Sequence, residues 1–202
     1  FSPIYDDATW NTGNGGIGYG DGDDNTLISP PVWSVFMRRK FFISDTSKII
    51  SAILNIDYDD AFVAYLNGVE IARGNIGETG KPPPFDQLAF KEREAIMYQG
   101  MFPENIKIEP NFLKMITFNG MNVLSIQVHN VSPNSSDMTC LAWLTFGIKD
   151  NTILFSTPPA WFDGGKGFLH TNFKLNGNGE TVYLYSATQQ LLSMLSWLPS
   201  AQ

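Results

Sequence analysis

The 202-residue sequence holds one cysteine, Cys140, so no disulfide can form within the chain. Its stability must come from burial. The compartment stays open, because large secreted β-domains fold without disulfides. Cys140 lies in the apolar run Met138-Thr139-Cys140-Leu141-Ala142-Trp143 and is expected as a buried structural thiol. Histidine is nearly as scarce: His129 and His170 are far apart, which excludes the paired spacing of a zinc site. A nucleophilic Cys140 would need one of them beside it. Basic residues are few, 13 Lys and Arg against 20 Asp and Glu, giving a net charge of −7. Nucleic acid is therefore not an expected partner, since binding it needs clustered cations. The one basic run, Arg38-Arg39-Lys40, is bounded by apolar residues and reads as part of a strand. No apolar run approaches the roughly 20 residues of a membrane-spanning helix. A leader pattern is also lacking. The chain opens at Phe1 rather than Met, as expected of a processed or trimmed fragment, so that lack says nothing about location. No nucleophile elbow occurs. The glycines from Gly13 to Gly22 neither follow a strand nor open a helix, so they form no phosphate loop.

What the chain does have is aromatic residues (15 Phe, 7 Tyr, 5 Trp), 18 Gly and 12 Pro in a sequence that is 43% hydrophobic. That mixture suits an all-β protein with many turns. The strongest local signal is Asn67-Gly68 between two β-rich runs, because both residues of a tight hairpin turn must take positive φ. A two-residue turn pairs Leu66 with Val69, Ala64 with Ile71 and Phe62 with Arg73. It gathers Phe62, Ala64, Leu66, Val69 and Ile71 on one side. Further strands are expected at 34–43, 48–57, 106–108, 122–130 and 138–148. In the first of these Arg39 shares the apolar side with Val35, Met37, Phe41 and Ile43, which would need a bulge to correct. Residues 1–33 read as irregular and glycine-rich. Residues 86–94 offer at most a helical turn or two, and 112–116 a short element that a helical turn would suit. The stretches 180–185 and 191–197 read as a second hairpin. Short strands punctuated by turns, without strand–helix alternation, predict an antiparallel sandwich or jelly roll.

Four stretches carry a resemblance. They are Trp10-Asn11-Thr12-Gly13 leading into Gly18-Tyr19-Gly20-Asp21-Gly22; Phe36-Met37-Arg38-Arg39-Lys40-Phe41; Tyr58-Asp59-Asp60-Ala61-Phe62 through Asn67-Gly68-Val69-Glu70; and Asn122 to Asn130 with Ser135-Ser136-Asp137. In this order they resemble the galactose-binding-like β-sandwich module of secreted bacterial proteins, found beside metallophosphoesterase, glycoside hydrolase or spore-coat-protein-H-like kinase domains. The resemblance covers about residues 1–150. Gly167 to Leu175 and Gly179 to Tyr185 are similar to part of a lamin-tail domain. The implied organisation is a sandwich over 1–150 and a small β appendage over 151–202. The resemblance further implies a secreted or cell-surface protein with its catalysis, if any, in another domain of a longer polypeptide.

Candidate chemistry falls in three places. The acidic loop Asp21-Gly22-Asp23-Asp24-Asn25 can present several oxygens to calcium, with Asp21, Asp23, Asp24 and Asn25 as ligands. The alternative is a solvated turn whose Asp and Asn side chains cap their own backbone. Asp57, Asp59 and Asp60 stand too close together for the two carboxylates of glycoside hydrolysis; Asp59 and Asp60 are expected to hold the bend and to border a ligand. Trp10, Tyr19, Trp33 and Tyr65 are aromatic rings fit either for the core or for stacking on sugars. Trp10 and Tyr19 with Arg73 form the carbohydrate-binding candidate. The expected function is a non-catalytic accessory module that binds a polysaccharide or glycan. The alternative is a structural module that packs on neighbouring domains, with any calcium serving stability.

Overall fold

The structure is a computed structural model that describes residues 2, 4–117, 119–150, 161–162, 180–185 and 190–197. The chain divides into two compact units, Phe1–Pro159 and Ala160–Gln202. In the first, β1 (Ile17–Tyr19), β2 (Thr26–Leu27), β3 (Ser34–Ile43), β4 (Ile49–Asp59), β5 (Ala61–Leu66), β6 (Val69–Gly74), β7 (Glu104–Ile108), β8 (Gly120–His129) and β9 (Met138–Ile148) are joined by loops, two 3-10 turns (Thr46–Lys48 and Met97–Gln99) and one short α-helix, α1 (Pro110–Leu113). The five-stranded sheet runs β2-β1-β9-β4-β7 and the four-stranded sheet runs β3-β8-β5-β6. In the second unit β10 (Glu180–Tyr185) and β11 (Leu191–Trp197) pair antiparallel, as the sequence predicts. The lamin-tail-like stretch before Glu180 lies outside the described residues, as does His170. Among the described residues no helix is long and apolar enough to cross a membrane.

The topology follows from one turn. Asn67 and Gly68 take φ of 50° and 86°, and close β5 on β6. Around that tip the pairs are nested: β4 with β7, β3 with β8, and β1 with β9, all antiparallel. The domain is one long hairpin rolled into two sheets, an all-β jelly-roll sandwich. The tip is pinned to β8 by Asn67, whose Oδ1 accepts from the Val123 amide at 2.9 Å and whose Nδ2 donates to Asn122 Oδ1 at 2.8 Å.

Alternation decides what lies between the sheets. Leu54, Ile56 and Tyr58 of β4 meet Phe62, Ala64 and Leu66 of β5 and Leu124, Ile126 and Val128 of β8 in one core. The hairpin register differs from a simple two-residue count. A bulge between Ala64 and Tyr65 pairs Ala64 with Ala72 and Phe62 with Gly74, rather than with Ile71 and Arg73. It lets Ile71 join the core. In β3 no bulge occurs: its ten residues pair with β8 without a shift. Arg39 keeps the inward side but stays exposed, because β3 is the edge of its sheet.

The outer side of the four-stranded sheet carries a second, smaller core. Val63 and Tyr65 are covered by Ile76 and Ala89. The covering segment, 75–90, is held by Gln127 Nε2 on the Pro83 carbonyl, by His129 Nδ1 on the Gln87 carbonyl and by the Ala89 amide on the Asn130 carbonyl. Residues 86–94 form no helix: the backbone bonds of Ala89 and Phe90 go to Asn130 and Asn75, not to their own turn.

Candidate functional site

Two regions outside the core concentrate unusual chemistry. The first is the end of the five-stranded sheet where β1, β9 and β4 lie side by side. Gly18 and Asp59 both pair with Thr139. Tyr58 and Cys140 face the core, so Asp59 and Thr139 face outward. Thr139 Oγ1 donates to Asp24 Oδ1 at 2.9 Å, with Asp23 Oδ1 at 3.3 Å. Glycine is required beneath them: a Cβ on Gly18 would stand 1.8 Å from the Met138 carbonyl and 2.7 Å from both Asp24 oxygens. Gly20 takes φ of +111° and packs directly on Asp137, where a Cβ would stand 2.4 Å from the Asp137 Cβ. The chain therefore turns tightly and brings Asp21 to Asp137. Glu94 joins them from the segment that covers this end, and the carboxylate oxygens of Asp21, Glu94 and Asp137 lie within 4.8 Å of one another.

Asp59 is only 4% exposed. No hydrogen bond or ion pair joins its carboxylate among the described residues. Burial, followed by the charges of Asp60, Asp137, Glu94 and Asp21, pushes its pKa up to about 8. Asp24 is raised to about 6 by burial against the lowering hydrogen bond from Thr139, and its Oδ2 is buried without a hydrogen-bond partner among the described residues. Asp57 and Asp60 have structural partners instead. Asp57 accepts from the amides of Ile96 and Met97. Asp60 accepts from those of Arg93 and Val131 at 2.8 and 2.7 Å. The peptide between Asp59 and Asp60 is cis. Arg93 does not neutralise the cluster: its guanidinium lies 3.6 Å from the centre of the Tyr58 ring and ion-pairs with Asp57 and Glu104.

The second region lies over β3 and β8 on the outer side of the four-stranded sheet. Ser2 and residues 4–10 are strapped there. Arg38 donates to the carbonyls of Ser2 and Tyr5, its guanidinium lies 5.2 Å from the centre of the Tyr5 ring, and Arg38 and Lys40 both pair with Asp7. Tyr5 and Trp10 meet edge to face at 5.7 Å. They enclose, with Phe36, Met37, Arg38 and Ser125, a depression of about 220 Å³. Ser125 is 1% exposed and its Oγ has no hydrogen-bond partner among the described residues.

The structure separates residues that the sequence reading grouped. Asp21 sits with Glu94 and Asp137, whereas Asp23 and Asp24 face Thr139. Asn25 caps its own loop, with Nδ2 on the Gly15 carbonyl and its amide on Gly16. Trp10 lines the aromatic depression, but Tyr19 is a core residue whose hydroxyl donates to the Ser135 carbonyl and accepts from Asn130. Arg73 grips Glu70 through two 2.8 Å bonds and donates to the carbonyls of Ile76 and Lys81. It thereby closes the loop after β6 and borders a separate shallow depression of about 290 Å³. Tyr65 is buried and donates to Gln127, while Trp33 is 41% exposed but lines neither depression. His129 is fully buried and held neutral by that burial; the Cys140 thiol is buried and pushed up for the same reason.

No protein-family model matches the chain, and no curated protein matches it. Among solved structures it is similar to the crystal structure of Streptomyces avermitilis alpha-L-rhamnosidase complexed with L-rhamnose. The identity is 20% and the TM-score 0.39, over 60% of this chain. This chain spans 9% of the length of that enzyme.

Proposed function

We propose that the sandwich is a non-catalytic accessory module of a secreted or cell-surface protein, and that the depression beside Trp10 takes a sugar ring from a glycan. The observation that carries this reading is the pairing of aromatic walls with a hydroxyl that has no hydrogen-bond partner among the described residues. Tyr5, Trp10 and Phe36 supply apolar faces, while the Ser125 hydroxyl and the Arg38 guanidinium stand at the same depression. A pyranose has the matching character, apolar C–H faces ringed by hydroxyls. At about 220 Å³ the depression is smaller than the roughly 300–1,000 Å³ of drug-sized ligand sites, and suits one ring. A glycan array probed with the 202-residue chain tests this. Binding to a defined saccharide that is lost in Trp10→Ala supports it. Clean absence of binding across plant and bacterial polysaccharides sinks it.

A structural reading has its own support. Phe85, Phe90, Met101 and Phe102 are 64%, 70%, 56% and 69% exposed in one connecting stretch, which suits packing against a neighbouring domain. A longer chain in which these residues become protected from hydrogen exchange would favour it.

A further inference from the structure

We propose that Asp21, Glu94 and Asp137, with Asp59 beside them, form a calcium site that ties four separate chain segments together. The oxygens of the first three lie within 4.8 Å of one another, about twice the 2.3–2.6 Å of a calcium–oxygen bond, so one ion can touch all three. The second observation is Asp59. It is an acidic side chain, 4% exposed, without a hydrogen bond or ion pair among the described residues. It stands outward on the strand beside β9, whose preceding residue pair Asp137 and Met138 leads into Thr139, its direct partner. A carboxylate buried among three others costs free energy unless a cation compensates it. The charges of Asp60, Asp137, Glu94 and Asp21 all act against ionised Asp59, and the near Arg93 is engaged by Tyr58, Asp57 and Glu104.

The donor set selects the ion. Asp21, Glu94 and Asp137 are all carboxylates, with no His or Cys among them, and Asp59 beside them is a fourth acid, which disfavours zinc and suits a hard cation. Three of the donors come from loops and a covering segment rather than from one rigid motif. Calcium accepts such irregular, flexible geometry, whereas magnesium demands a near-ideal octahedron at 2.0–2.1 Å. Backbone carbonyls or water would complete the shell. The bound ion would join the turn after β1, the segment around Glu94, the approach to β9 and the end of β4. The site is separate from the sugar depression, so either reading can fail without the other.

The test uses the 202-residue chain, titrated calorimetrically with calcium chloride alone and melted with millimolar calcium or with chelator. Calcium is expected to bind and to raise the melting temperature by several degrees. Glu94→Gln and Asp137→Asn are each expected to weaken calcium binding at least tenfold, while melting in chelator at or above the parent because a repulsion is removed. Asp23→Asn should leave calcium affinity within twofold. No calcium binding by the folded parent overturns the proposal. So does a calcium response that survives in both Glu94→Gln and Asp137→Asn, or a magnesium response equal to that of calcium.

Discussion

The outer sides of the two sheets are finished in opposite ways. Over the four-stranded sheet, the cover meets buried polar groups with neutral hydrogen bonds: Tyr65 donates to Gln127, Gln127 to Pro83, and His129 bonds Gln87, while Ser125 Oγ and His129 Nε2 stay without a partner among the described residues. Over the end of the five-stranded sheet, the cover adds charge to charge, setting Glu94 beside Asp21 and Asp137 with Asp59 buried among them. The inward sides are dictated by the shared core and look alike. What distinguishes the faces is the segments that return over them. One cover is held mainly by hydrogen bonds between neutral groups; the other brings carboxylates together.

The largest test of this contrast removes what both faces share. Phe62 is fully buried between the sheets with its ring 4.5 Å from that of Tyr58. Phe62→Ala is expected to cost about 3–5 kcal/mol in urea unfolding and to weaken both faces together. A loss confined to one face would show that the faces do not share one core. Next is Asp60→Ala, which leaves the amides of Arg93 and Val131 without their acceptor. A loss of about 1–3 kcal/mol is expected. It should also lower calcium affinity, because the Glu94 segment is released.

A smaller and more selective change is Trp10→Ala. It should reduce saccharide affinity roughly tenfold, about 1.4 kcal/mol, and leave the calcium response intact. Loss of both responses would mean that the two regions are coupled. The smallest effect is in pH. Asp24 has its pKa raised to about 6 from 3.8, so in chelator its contribution to stability is fully present below about pH 4 and is lost as pH rises through 6. His129 has the opposite sign. Its pKa is lowered from 6.5, so it favours the fold at neutral pH and withdraws that support as pH falls below its ordinary value. Melting curves of Asp24→Asn in chelator between pH 4 and 7 should show a shallower decline on the alkaline side, the remainder belonging to Asp59. An unchanged profile would remove Asp24 from the comparison.

Much of the fold is legible because the nested strands announce themselves one at a time. Met138–Ile148 and both strands of the second hairpin are predicted to the residue by apolar runs between turn residues. β1 is hidden because glycine reads as loop, whereas Gly18 is in a strand that admits no side chain. The acidic site is half legible. Asp21 is marked by its loop, but Glu94 and Asp137 are brought to it by β9 and the covering segment, across distances in sequence that no local pattern encodes. The same holds for Trp10, whose neighbours Phe36, Arg38 and Ser125 lie on β3 and β8. Tyr19 and Arg73 mislead because aromatic and guanidinium groups serve burial and loop closure as readily as ligands.

The nested hairpin also sets an order in time. The tip at Asn67-Gly68 closes over two residues, whereas the outermost pair joins Ile17 to Cys140. Closing so long a loop must precede the contacts that reward it, which places such topologies in the slow class, about milliseconds to seconds. The acidic site draws on β1, β4 and β9, so it comes into being only with that outermost closure. Interactions made after the folding barrier act on the reverse rate. An ion held there would therefore leave the speed of folding untouched and lengthen the lifetime of the folded state.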